Sequence, residues 1–523
     1  MGHTSLVLAL LLATLGGLAL LLARGNRRGP ATRDGILLGL WLCAAVAHTH
    51  SLTRDSVGDE LRLTAPPFHL HEFLHYYLGS KYYAEIGHSL LYEAIVIADF
   101  EDDRTSFVPR DRFRDLGTNR VDRVRDHVIR EGALAKRRFE PARWDSFKAD
   151  VALLRSSFVS LPAWHRSAIL RDHGYNGSPL TTLLLGAVAN QPFVSSLAFF
   201  QTMRWMDLVL VGLLGCVVGA RLGPGPGLAF GVLWLANPLN DYGFVGGSFL
   251  RYNFALALLL AWLALDRDQP RRAGAWIAVA THLRIFPGLF ALGLLLHDLA
   301  RPGAEARRRA LRRNRPLYAS FAVTGAALAA VTTLAPAPDG ESVWLEFRER
   351  IAVHARALAF NSVGLGVPFG YSQQQSVEAR SAALADGTSE AWEDIVESTL
   401  NDRRAARWAA TALLLAAISL CARRLPRRYA LFLGFPLLFT LMDSSHYYYL
   451  SLGLLALVFH DHRAVLLALT TGFGAIALAG LPTGLEDDLL RMSVVSAATA
   501  ATLAAIGAIA ARDQALPPPW EPT

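Results

Sequence analysis

The chain has 523 residues, of which 52% are hydrophobic and only 18% charged, with a mean hydropathy of +0.29. So little charge cannot cover a water-soluble body of this length, and long apolar runs broken by arginine clusters point to a multi-pass membrane protein. The net charge of +7 is concentrated in short loops between apolar runs, which argues for a topology signal and against nucleic-acid binding.

The first apolar run, 5–23, is followed by Arg24, Arg27 and Arg28 and has no basic leader before it, so it reads as a retained helix with its N-terminus outside. Further runs lie near 35–50, 195–219, 225–238, 251–266, 317–335, 406–421, 429–442, 449–460, 463–481 and 492–511. Together they predict an all-α polytopic fold of about 11–13 transmembrane helices. Residues 24–34 carry four arginines, 301–316 seven and 422–428 four. Alternating from an external N-terminus puts all three loops on the cytoplasmic side. Cys43, Cys216 and Cys421 fall in or at apolar helices and read as small packing residues.

The segment 273–298 joins two arginine-bearing loops that both belong inside, and Pro287 interrupts it. Two short helices entering and leaving from one side restore parity. Such a break survives in a bilayer only where protein or a wet cavity shelters its backbone, which puts Arg284 in a cavity. Five segments follow: two N-terminal helices (1–50), a large outside loop (51–194), helices with the broken pair (195–335), a second outside loop (336–405), and the C-terminal helices with a short tail (406–523). In the first loop, Phe107, Phe113, Phe139, Trp144 and Phe147 supply enough aromatic surface to pack short helices.

The chemistry concentrates where the first outside loop begins, in HLHEFLHYYLGSKYYAEIGH. His71-Glu72-Phe73-Leu74-His75 matches HExxH, in which two histidines share a helix face and the glutamate polarises a metal-bound water. His88 or Asp99 is the nominee for a third ligand. Asp99, Glu101, Asp102 and Asp103 could hold a divalent cation, but a solvated loop facing Arg104 and Arg110 explains them as well.

The longer pattern is E-x-x-x-Y-Y-x-x-x-K-Y-Y-x-E-x-G, formed by Glu72, Tyr76, Tyr77, Lys81, Tyr82, Tyr83, Glu85 and Gly87. It resembles the first outside loop of GT-C glycosyltransferases, roughly D-P-x-x-x-Y-x-x-T-K-x-x-x-E-x-G in oligosaccharyltransferase catalytic subunits. Glu72 stands at that family's catalytic aspartate, with glutamate for aspartate and Phe73 for proline. Tyr175-Asn176-Gly177-Ser178-Pro179, Arg284-Ile285-Phe286-Pro287 and His446-Tyr447-Tyr448-Tyr449 resemble motifs of the polyprenol-phosphate-mannose-dependent mannosyltransferase branch. The resemblance implies a bacterial inner-membrane enzyme with its site facing outside, a polyprenyl-phosphate hexose donor (mannose favoured), a hydroxyl acceptor, and no cofactor or required metal.

Such a transfer needs a carboxylate to take the acceptor proton and cations on the departing phosphate. Glu72 is the candidate base and Arg284 the candidate phosphate clamp. His71, His75, Tyr77 and Lys81 join them as candidate binding residues, with Arg251 and Tyr252 of GGSFLRYN and with His446 and Tyr447 where a later helix emerges. His354 and Asn361 lie in the second loop, where WLEFRERIAVHARAL reads as an amphipathic helix resting on the membrane. Two other functions fit part of the pattern: a flippase for lipid-linked sugars and an HExxH membrane metalloprotease.

Overall fold

The computed structural model describes residues 3–24, 29–50, 70–102, 112–123, 134–158, 169–203, 205–240, 252–335, 337–340, 342–356, 358–359, 361–372, 390–480 and 488–512. Within them the chain is mostly helical. Three helices, Pro30–His48, Arg404–Arg424 and Leu489–Ala511, are long and apolar enough to cross a membrane, and a fourth span results if Leu197–Met203 and Leu208–Leu222, bent by 44°, act as one. Seven shorter apolar helices of 10–17 residues accompany them, among them Pro224–Leu235, Asn253–Asp266 and Arg463–Ala479. All three named lie on apolar runs read from the sequence.

Two small antiparallel pairings interrupt the helices. Arg112–Asp115 pairs with Arg120–Arg123, and Ser362–Val363 pairs with Ser444–Ser445. The sequence reading contained neither, because strands this short carry no usable alternation.

Buried apolar side chains form two clusters. The larger gathers Leu18, Phe230, Trp234, Phe290, Phe435 and Phe473 from the apolar helices. The smaller draws mostly on residues 70–200 and includes Phe73, Tyr82, Tyr92, Phe113, Phe147 and Tyr175. Trp144 stacks on Phe147 with centroids 5.4 Å apart and planes 19° off parallel. Burying each such ring contributes roughly 1.5–3 kcal/mol toward holding this segment around its own core. Phe107, expected in the same role, lies outside the described residues.

Residues from the 336–405 segment dock onto the smaller cluster's segment. Glu346 of the Val343–Arg356 helix accepts from the His88 backbone N–H at 3.0 Å and from the Tyr83 hydroxyl. Arg350, only 4% exposed, donates through Nη1 to the Leu116 carbonyl at 3.0 Å. Arg114 pairs with Glu393 of the Glu390–Asp402 helix at 2.9 Å. The helix read as amphipathic thus turns Glu346 and Arg350 toward protein, while Arg348 and Glu349 stay exposed. Gly87 permits this contact: its φ is +54°, and a Cβ there would run into the Glu346 carboxylate.

The 273–298 segment is broken. Helix Pro270–Leu283 ends at an extended Arg284 (φ −148°, ψ 136°), and helix Gly288–Leu299 begins after Pro287. A helix end leaves carbonyls without intrahelical partners. Here the His282 carbonyl accepts from Ser178 Oγ at 2.5 Å, and the Leu283 carbonyl accepts from Thr181 Oγ1 at 2.8 Å. Ser178 also caps the Pro179–Ala189 helix by accepting from Thr181 N–H at 3.2 Å. Two helix ends thus satisfy each other, and the Pro179–Ala189 helix is pinned to the break.

Candidate functional site

Residues 70–78 run as a short α-turn, Leu70–Glu72, continuing into a π-helical turn, Phe73–Leu78. Bonding from i to i+5 widens the turn, so residues four apart stay in register along one face. His71 lies over His75, with ring centroids 4.4 Å apart. Phe73 and Tyr77 share another face and both pack on Phe200, at 4.5 and 5.0 Å. By the same register Glu72, itself buried at 5% exposure, shares a face with Tyr76.

That face leads to the broken helix. Arg284 Nη1 donates to the Tyr76 hydroxyl at 2.9 Å, and Tyr76 donates in turn to Asn176 Oδ1 at 2.5 Å. The buried guanidinium lies 5.0 Å from the Tyr76 ring centroid and 5.9 Å from that of Tyr448. Tyr448 also packs on Phe286 at 5.3 Å and on Tyr447 at 4.9 Å. The Ser362–Ser445 pairing brings in the remaining pieces: His446 N–H donates to the Asn361 carbonyl at 2.9 Å, with His446 Nδ1 3.2 Å from the same oxygen. Segments near 72, 176, 284, 361 and 446 therefore converge, mostly through aromatic contacts around one guanidinium.

Other nominated residues point elsewhere. Lys81 Nζ is held by Asp150 at 2.6 Å, the Tyr77 hydroxyl at 2.9 Å and Ser195 Oγ at 2.6 Å. Tyr82 donates to the same Asp150 at 2.6 Å, and Glu85 pairs with Arg143 at 2.7 Å. Lys81, Tyr77 and Glu85 thus dock the Pro141–Phe158 helix, on the face turned away from Tyr76. Tyr252 donates to Asn240 Oδ1 at 3.1 Å and faces Leu210, Leu214 and Trp234. Arg251 lies outside the described residues, as does the side chain of His354 on the Val343–Arg356 helix.

The acidic group after Glu93 is taken up by cations of the chain. Asp99 and Asp102 pair with Arg155 at 2.8 and 3.1 Å, and Glu101 pairs with Lys136 and accepts from Trp144 Nε1 at 2.9 Å. Asp103, Arg104 and Arg110 lie outside the described residues.

The histidine face gathers a partner the sequence reading did not name. His71 Nε2 is 2.8 Å from Asp172 Oδ2, and one ligand atom from each of His71, His75 and Asp172 lies within 4.8 Å of the others. Burial pushes the Asp172 carboxyl up, but the His71 bond and the His71, His75 and His173 charges outweigh it and hold the group well below the usual carboxylate range. The two nominees for this place are engaged elsewhere: His88 bonds Tyr83 and the Gly177 carbonyl, both at 3.1 Å, and Asp99 faces Arg155. Asp172 stands about a hundred residues from His71, and no local pattern marks it. Asn176 was visible only as part of the YNGSP motif.

No protein-family model, curated protein or solved structure matches this chain, so the site's own chemistry must carry the functional reading.

Proposed function

We propose that the chain is a multi-pass glycosyltransferase of GT-C type, moving a hexose, mannose favoured, from a polyprenyl-phosphate donor to a hydroxyl acceptor on the outer face of a bacterial inner membrane. One observation carries this reading: the Arg284 guanidinium, in a helix break, bonds Tyr76, which shares a face with the buried carboxylate Glu72. In the transfer the acceptor oxygen attacks the sugar's anomeric carbon and Glu72 takes its proton. The bond from that carbon to the phosphate oxygen breaks, and its electron pair leaves with the phosphate. Arg284 stabilises the charge growing there, where a planar fork suits phosphate oxygens. A single displacement of this kind inverts the anomeric centre.

The test is incubation of purified protein with labelled polyprenyl-phosphate mannose and candidate lipid, glycan and peptide acceptors, wild type beside Glu72→Gln. Labelled product that disappears with the substitution supports the proposal. A flippase would tolerate Glu72→Gln, with lipid movement unchanged. A second reading, a metal-dependent hydrolase, is favoured by the His71–His75–Asp172 grouping together with the HExxH spacing that sets Glu72 next to His71 in sequence. It gives Arg284 and Tyr76 no role, and peptide or ester cleavage by the purified protein would choose it.

A further inference from the structure

The cluster on the histidine face plays no part in the sugar transfer described above, yet its donor set suits a metal ion. We infer that His71, His75 and Asp172 form a binding site for one divalent transition-metal ion of the zinc class. Three features of the fold support this. First, the π-helical turn keeps residues four apart in register, so both imidazoles leave the helix on one side, with centroids 4.4 Å apart. Second, Asp172 comes from a distant segment, and the three ligand atoms lie within 4.8 Å of one another, so side-chain adjustment alone would draw them to the roughly 3.5 Å spacing around a tetrahedral ion with bonds of about 2.0–2.2 Å.

Third, Tyr92 fixes one imidazole. Its hydroxyl donates to the Ile169 carbonyl at 2.9 Å, so its oxygen accepts from His75 Nε2–H at 2.6 Å, and the ring's lone pair stays on Nδ1. Histidines that ligate metals ordinarily donate their other ring N–H in this way. At His71 the ion would take the place of the proton between Nε2 and Asp172 Oδ2, which are 2.8 Å apart. Two imidazoles with one carboxylate select zinc, iron or cobalt over magnesium or calcium, which prefer all-oxygen shells. The family resemblance implies no required metal, so this site is a departure from it.

The experiment uses the full-length protein in detergent, stripped with chelator and titrated with Co2+, Zn2+ and Mg2+, with metal content read by mass spectrometry. The expected result is one Co2+ per chain with visible ligand-field absorption, displaced by Zn2+ and not by Mg2+. His75→Ala and Asp172→Asn should abolish binding, and Tyr92→Phe should weaken it by roughly 10–100-fold. Asp172→Asn keeps a hydrogen-bond acceptor for His71, so a folded, monodisperse variant separates loss of metal from loss of fold. Sub-stoichiometric binding, or binding unchanged by these substitutions, would leave a histidine–carboxylate ion pair only and overturn the inference. Because metal content is read without substrate, its failure is distinguishable from failure of glycosyl transfer.

Discussion

Two buried polar clusters lie at different places in this molecule, and they differ in how their charges are answered. One is centred on Asp298, 1% exposed, which accepts from Asn314 Nδ2 at 2.7 Å and from the Tyr318 hydroxyl at 2.8 Å, with His297 beside it. Asn314 in turn accepts from Arg427 at 2.8 Å, and the Leu425 carbonyl receives His297 and Arg301, both at 3.1 Å. A carboxylate ringed by donors is a closed lock between helix Gly288–Leu299, helix Ala304–Thr332 and the turn at 425–433. The cluster around the π-helical turn is built from arginine, tyrosine and histidine. There Arg284 donates to the Tyr76 hydroxyl, while Arg350, which docks the Val343–Arg356 helix on the Leu116 carbonyl, keeps two buried nitrogens, Nε and Nη2, with no hydrogen-bond partner among the described residues. Buried N–H groups without partners are rare and call for an explanation. The Asp298 cluster satisfies its own groups, whereas the Arg350 guanidinium keeps two donors in reserve.

Breaking the lock should have the largest effect. Asp298→Ala leaves three donors without their acceptor and should cost about 3–5 kcal/mol of stability, seen as earlier heat-induced loss of monodisperse protein in detergent. Transfer per folded molecule should not change. If activity fell while stability held, the contrast between the clusters would be wrong. Arg284→Gln should behave in the opposite way, lowering transfer by about 10²–10³-fold while shifting the melting transition little.

The docking of the outer segments gives a smaller, pH-dependent effect. Burial pushes the Glu346 carboxyl up, but bonds from His88 and Tyr83 outweigh it and hold the group below its ordinary value. A carboxyl depressed on folding contributes stability that is fully present above its unfolded pKa of about 4.3 and is lost as pH falls through the folded value. Thermal stability should therefore drop below about pH 4 in wild type. In Glu346→Gln it should start lower, by roughly 1–3 kcal/mol, and change less with acid. Equal acid sensitivity in both proteins would remove Glu346 from this role.

Sequence could show some of these features and not others. The break at Arg284–Pro287 was legible because proline lacks an N–H and because flanking arginines disagreed with a single crossing. The apolar helices were legible from hydropathy. The His71–His75 pair followed from local spacing, while its partner Asp172 did not, since contact across a hundred residues leaves no periodic trace. The contacts of Lys81 were not legible, because a motif cannot tell a substrate contact from a docking ion pair with Asp150. The protein contacts of the helix Val343–Arg356 were not legible for a related reason: an apolar stripe has the same period whether it meets lipid or protein.

The central claim is that Glu72 removes the acceptor's proton on the face it shares with Tyr76. Single-turnover transfer from labelled polyprenyl-phosphate mannose, wild type against Glu72→Gln at matched folded concentration, tests it most directly. The expected result is a fall of roughly 10²–10⁴-fold with donor binding and melting behaviour unchanged. Transfer by the Gln variant at a rate close to wild type would contradict it.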